Sequence, residues 1–253
     1  MQRFEIMNLT TLLFIPLLLI SFLTSDFKSE QKKYVRVREA YADKEAVVKS
    51  VLKSNALNIE SVHLLLIAYK AEQELEVWAT DNKHSTFKKI ITYPVCAASG
   101  VAGPKVKSGD LQVPEGFYHI STFNPVSSYH LSLKINYPNA ADRIRSKGLN
   151  PGGDIFIHGK CVTIGCLPLT DEKIKELYVL ATEARTNGQL KIPVYIFPAR
   201  FDGKYYASLL ADYKSNKTMI NFWNKLSEGS RLFEKTKKPL QVSVNSKGSY
   251  EFQ

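Results

Sequence analysis

Apolar residues first gather at positions 9–23, behind a single basic residue, Arg3, and with Pro16 inside the run. The run falls short of the roughly 20 residues that a membrane-spanning helix needs, and small residues follow at 21–25. This pattern predicts a secretory signal removed near residue 25, with an uncleaved N-terminal anchor as the alternative. Residues 26–59 are polar and lysine-rich, with a helix predicted over 40–57 from the narrow stripe Val47, Val48, Val51 and Leu52. Periodicity then changes. Residues 62–69 are almost continuously apolar, and Leu75, Val77 and Ala79 alternate with Glu74, Glu76 and Trp78, as in a strand and its hairpin partner. Further strands are predicted over 87–95, 117–120 (after the turn Val113-Pro114-Glu115-Gly116), 128–135 and 155–157. Residues 136–150 read as a polar loop. A helix over 170–187 places Ile174, Leu177, Tyr178, Ala181 and Ala184 on one face and ends at Gly188. A closing strand over 191–197 contains Pro193, which predicts a sheet edge. The C-terminal residues carry Met219, Ile220, Phe222, Trp223 and Leu226 at helical spacing within 213–233, then a short hairpin over 242–252 around Ser246-Lys247-Gly248.

Length and charge narrow the function. A chain of 253 residues is long enough to bury a substantial core. The formal net charge is +10, yet no arginine-rich helix or aromatic-interleaved basic motif accompanies it, so nucleic acid is not the expected partner. A carboxylate-bearing or polyanionic envelope substrate fits a basic surface better.

The chemistry concentrates in residues 154–171. His158 closes a short apolar strand, and Cys166 follows eight residues later beyond a loop bracketed by Gly159 and Gly165. Thr170 is placed to cap the following helix, with Asp171 and Glu172 in its first turn, so Cys166 is expected at that helix start with free backbone N–H groups nearby. A thiol beside an imidazole is the composition of a nucleophile with its base. Three alternatives stand beside this reading. His158, Cys161 and Cys166 supply three zinc-type ligands, although the spacing H-x2-C-x4-C lacks a C-x2-C pair. A Cys161–Cys166 disulfide would consume the nucleophile. A Cys96–Cys161 bridge would leave Cys166 free and satisfy the odd cysteine count, although Cys96 on its own reads as a buried strand residue.

The segments PVCAASG, GDLQVPEGFYHI, FNPVSSYHLSLKINYPNAADR, GGDIFIHG, CVTIGCLPLT and KIPVYIFP resemble the L,D-transpeptidase (YkuD-type) catalytic domain family, in its YafK-like branch. The likeness runs from about residue 62 to 198. It departs from the wider family at Ile164, where a second histidine is usual, and near Pro168; its His-to-Cys spacing is also shorter. The resemblance implies a mostly-β (α+β) fold, a sandwich or barrel with flanking helices. Together with the residue patterns above, it divides the chain into a signal or anchor (1–25), a helical segment (26–59), a catalytic domain (60–198) and a C-terminal helical appendage (199–253). It further implies acyl transfer on peptidoglycan stem peptides through a Cys166 thioester, with His158 as the base. Backbone groups at Gly159, Thr163, Gly165 and Cys166 would shape the loop and the oxyanion site. His130 is a candidate to replace the imidazole absent at Ile164, or is simply core, and Arg143 is a candidate clamp for a substrate carboxylate. Transfer to an amine, hydrolysis of an amide cross-link, and release of a wall-linked protein all remain open. No cofactor or metal is expected, and the cellular site is the envelope or periplasm. The alternatives are a non-catalytic wall-binding module and a zinc-dependent hydrolase built on His158, Cys161 and Cys166.

Overall fold

The computed structural model describes residues 26–81 and 86–253. The predicted signal over residues 1–25 lies outside them, and among the described residues no helix is long and apolar enough to cross a membrane. In chain order the elements begin with α1 (Phe27–Gln31), α2 (Val35–Ser54), β1 (Val62–Tyr69), β2 (Glu74–Asp81), β3 (Lys88–Pro94) and β4 (Gly116–Asn124). They continue through β5 (Ser132–Ile135), α3 (Ala140–Arg145), β6 (Phe156–His158), β7 (Leu167–Pro168), α4 (Asp171–Thr186) and β8 (Pro193–Phe197). The chain closes with α5 (Lys204–Asp212), α6 (Lys217–Thr236), β9 (Val242–Val244) and β10 (Tyr250–Phe252). The result is the mixed α+β architecture expected, a curled eight-stranded sheet with helices at its flanks.

The strand order is β3-β2-β1-β8-β4-β5-β6-β7. β4 joins two halves. Its first residues pair with β8 (Gly116 with Ile196), and beyond a register shift after Ile120 it pairs with β5 (Phe123 with Leu133). The continuous apolar run of β1 has a direct cause, because both faces of the strand are covered. Leu64, Leu66 and Ala68 join the core under α2 and α4, while Leu65, Ile67 and Tyr69 join a second, aromatic core under α5, α6 and the β9–β10 hairpin. In that second core Trp223, Leu226 and Phe233 are almost fully buried along α6. A buried polar knot ties the two layers together. Glu115 is fully buried and accepts from Lys70 Nζ at 2.9 Å, Gly103 N at 2.7 Å and Trp223 Nε1 at 2.9 Å.

Three expectations are corrected, and one helix is added that no expectation covered. Helix α2 begins at Val35 and buries Val37, Ala40, Tyr41, Val48 and Leu52, whereas Val47 is exposed. Its register is set by packing on α4, where Tyr41 donates to Glu183 at 2.8 Å. Pro193 does not mark an edge. β8 lies between β1 and β4, and proline is tolerated because it is the first residue of the strand, pairing with His119. The loop over 136–150 contains α3, started by a reciprocal cap in which Asn139 accepts from Asp142 N and Asp142 accepts from Asn139 N. Residues 204–212 form a helix whose only buried residue is Tyr206, so its apolar signal in sequence is faint.

Candidate active site

β6 and β7 are short parallel neighbours, with Ile157 opposite Leu167 and His158 opposite Pro168. That pairing carries the segment after the loop back alongside the strand that ends in His158. Cys166 is therefore the residue leading into β7, not the start of α4. The helix begins only at Asp171, and its N-cap Thr170 makes no side-chain cap bond. The two-residue strand escaped sequence reading because Leu167-Pro168 carries no alternation to detect.

Three links fix the loop. A disulfide joins Cys96, just beyond β3, to Cys161, with Cα atoms 5.3 Å apart, and leaves Cys166 as the free thiol. Cys96 is thus a staple in a loop rather than a buried strand residue, and Cys161 cannot pair with Cys166. The same bridge removes one of the three sulfur and nitrogen donors needed by the zinc reading. Beside it, Cys96 N donates to Pro168 O at 3.0 Å. Thr163 supplies the third link. Its Oγ1 accepts from Cys166 N at 2.8 Å and Gly165 N at 3.2 Å, and donates to Cys166 O at 2.9 Å. The two N–H groups expected to be free are held by that hydroxyl.

Both glycines are sterically required. A Cβ at Gly165, whose φ is +131°, would lie 2.9 Å from Gln112 O, and one at Gly159 would lie 2.7 Å from Asp171 Oδ1 and 2.8 Å from Tyr129 O. Asp171 Oδ1 also accepts from Lys160 N at 2.9 Å, so the first turn of α4 anchors the loop start.

His158 is 3% exposed, and its Nδ1 lies 2.6 Å from Gly159 O. If Nδ1 carries the proton there, Nε2 is the basic nitrogen. Burial pushes the His158 pKa below its ordinary value, opposed by the Gly159 carbonyl, so the ring is neutral near pH 7. Tyr129 tilts over the imidazole with centroids 4.7 Å apart. Cys166 Sγ lies 3.7 Å from Asp154 O, and burial raises its pKa above the ordinary thiol value, partly offset by the Phe156 N–H. The thiol and the imidazole are therefore both neutral at rest, and among the described residues no hydrogen bond joins them: Sγ faces Asp154 O and Nδ1 faces Gly159 O. Cys166 lines a cavity of about 250 Å³ with apolar walls that include Val95, Ala98, Val113, Leu167 and Leu209. Ser99 also lines it, and its buried Oγ has no hydrogen-bond partner among the described residues.

The remaining candidates lie elsewhere. His130 is not in a strand. It occupies a turn at φ +69° before β5, where its carbonyl accepts from Arg36 Nη1 at 2.8 Å and its buried Nε2 has no partner among the described residues. The residue touching His158 is its neighbour Tyr129. Arg143 is exposed on α3 and does not line the Cys166 cavity. Next to it, Arg145 is engaged, donating to Gly248 O at 3.0 Å and stacking on Phe222. Sequence reading missed Tyr129, Asp154 and Phe156, two of which act through the backbone and leave no residue-type signal.

This strand–loop–strand site sits within residues 64–196, which match the L,D-transpeptidase catalytic domain (YkuD), and the chain belongs to that family. YafK, a candidate L,D-transpeptidase of Escherichia coli (strain K12), is 34% identical over 179 residues, covering 70% of this chain and 68% of YafK. The YafK sequence of Escherichia coli O157:H7 gives the same figures. Among solved structures, the helical cell shape determining protein Pgp2 of Campylobacter jejuni has a TM-score of 0.44 at 19% identity, covering 72% of this chain and 73% of that one. Bd1075 of Bdellovibrio bacteriovorus has a TM-score of 0.38 at 19% identity, covering 72% and 75%.

Proposed function

We propose that the protein is a cysteine acyltransferase acting on peptidoglycan stem peptides in the cell envelope. The observation that carries this is the single free thiol, Cys166, which lines a cavity at the entry to the strand running beside the one that ends in His158. Sγ attacks an amide carbonyl carbon of the stem peptide while the neutral His158 takes the thiol proton, so no resting thiolate is required. The C–N bond breaks, His158 returns the proton to the departing amine, and a thioester remains on Cys166. An incoming amine then gives transpeptidation, and water gives hydrolysis of a cross-link or of a protein–wall link.

The Gly165 and Cys166 N–H groups are the natural donors to the oxyanion, because they converge on one acceptor, the Thr163 hydroxyl. In this reading Thr163 holds them in place until the charged oxygen displaces it. Tyr129 and Gly159 position the imidazole. His130 and Arg143 have no assigned part, since neither lines the cavity and neither lies on the β6–β7 pair that brings His158 beside the Cys166 segment. Export follows from the N-terminal run, with removal of about 25 residues.

Product analysis tests the reading. Wall fragments incubated with the full chain should lose an amide bond, and the products distinguish transfer from hydrolysis. Cys166→Ser should give no product. Turnover retained in that variant would overturn the proposal.

A further inference from the structure

Half of the chain's excess positive charge follows the residues that match the family. Residues 199–253 carry ten lysines and arginines against five aspartates and glutamates, +5 of the total +10. Part of that charge converges on a cavity of about 240 Å³ between α3, α6 and the β9–β10 hairpin. Thr218, Asn221, Phe222 and Lys225 reach it from α6 at spacings of three and four residues, which puts them on one stripe of the helix. Trp223 and Leu226, on the neighbouring stripe, are buried in the aromatic core. The hairpin supplies Lys247, Ser249 and Tyr250, and α3 supplies Arg145. None of these residues lines the Cys166 cavity, and all but Arg145 lie beyond 64–196, the range that matches the family.

The lining holds three cations and no carboxylate. Arg145 is held in place: Nη1 donates to Gly248 O at 3.0 Å, and the guanidinium lies over the rings of Phe222 and Tyr250, 4.4 and 5.2 Å from their centroids. Its Nε is buried and has no hydrogen-bond partner among the described residues. Asp142, 3.7 Å from Nη2, is itself buried and takes no part in the lining. Lys247 Nζ has no ion-pair or hydrogen-bond partner among the described residues. The hydroxyls of Thr218 and Ser249 and the amide of Asn221 are uncommitted among them as well. A guanidinium already ordered by its neighbours loses little freedom on meeting a ligand. The donors outnumber what the two oxygens of a carboxylate accept, and suit a phosphate, whose oxygens accept from several sides. The half-buried Phe222 ring adds an apolar surface for the carbon attached to such a group.

We infer that this cavity binds the phosphate group of an organic phosphate ester. Arg145, Lys225 and Lys247 supply the charge, and Thr218, Asn221 and Ser249 supply further hydrogen bonds. A phospholipid headgroup and a soluble phosphate ester share that chemistry. The inference does not depend on the acyl-transfer reading, because the two cavities share no residue.

Calorimetric titration of the full chain with glycerol 3-phosphate, at constant ionic strength, tests it, with glycerol and acetate as controls. Saturable binding of glycerol 3-phosphate is expected, about tenfold or more tighter than either control. Lys247→Gln and Lys225→Gln should each weaken it roughly threefold, and the double variant roughly tenfold. Lys235→Gln removes the same charge from an exposed position on α6 outside the cavity and should bind as the parent does. Lys225 pairs only with the exposed Glu228, and Lys247 and Lys235 with no side chain among the described residues, so unfolding midpoints should not move. Co-sedimentation with phosphatidylglycerol vesicles separates the two sources. Vesicle binding lost in the double variant assigns the cavity to a lipid headgroup. Glycerol 3-phosphate binding without vesicle binding, or with vesicle binding that the double variant keeps, assigns it to a soluble ester. Absence of saturable glycerol 3-phosphate binding, equal binding of acetate, unchanged affinity in the double variant, or an equal loss in Lys235→Gln would overturn the site.

Discussion

Removing the Cys96–Cys161 bridge should loosen the whole protein and the candidate site together. The two cysteines are 65 residues apart in sequence. Cross-linking a loop of that length removes chain entropy from the unfolded state worth about 4 kcal/mol at 25 °C in the loop-closure treatment. The enclosed segment contains β4, β5, α3 and β6, so the bridge ties the strand that ends in His158 back to the end of β3. Cys96→Ser/Cys161→Ser should lower the stability from urea titration by about 2–4 kcal/mol, with an unchanged slope if the unfolded surface is similar. Turnover should fall as well, because the loop before Cys166 loses its covalent anchor. Thiol titration of the folded parent should find one reactive cysteine, slow at neutral pH because burial raises the Cys166 pKa. A double variant within 1 kcal/mol of the parent by this scale, or three titratable thiols in the native protein, would refute the reasoning.

Thr163→Val removes the hydroxyl bound to Cys166 and Gly165; it should cost about 1–2 kcal/mol in thermal unfolding and slow acylation roughly ten- to a hundredfold, with Thr163→Ser recovering most of both. Because His158 is held below its ordinary value, its neutral form persists to lower pH, and the acid limb of the acylation profile should lie below pH ~6.5; a limb above that value would contradict the burial argument. Asp142 is driven by burial from its ordinary 3.8 up to about 6. The folded state therefore keeps a proton that the unfolded state releases, and that stabilisation is full below pH 3.8 and lost as pH rises through about 6. The drop should be on the order of 3 kcal/mol in stability measured between pH 4 and 7, and Asp142→Asn should flatten it.

How much was readable in sequence depended on whether burial followed a period. β1, β2, β3, α4 and the β9–β10 hairpin were legible because each carries a run or alternation that one neighbour suffices to explain. Helix α2 was misplaced at its start because Val37, Ala40 and Tyr41 face α4, a partner 130 or more residues away that no local window contains. Pro193 suggested an edge because the rule concerns missing donors, and the first residue of a strand escapes it. At the candidate site, Cys166, His158 and the two glycines stood out by residue type. The parallel β6–β7 pairing that juxtaposes their segments did not, since β7 is two residues long. The disulfide partner was one of several arithmetically allowed choices until the fold brought Cys96 beside Cys161.

In the proposed reaction Cys166 carries the acyl group. Wall fragments mixed with the full chain, quenched in acid within the first turnover and digested without reductant, allow peptide mass mapping of every cysteine. An acyl adduct is expected on the peptide containing Cys166 alone, with an intact Cys96–Cys161 cross-linked peptide and no adduct in Cys166→Ser. Product formed at the parent rate with no adduct on Cys166, or an adduct on another residue that persists in Cys166→Ser, would contradict it.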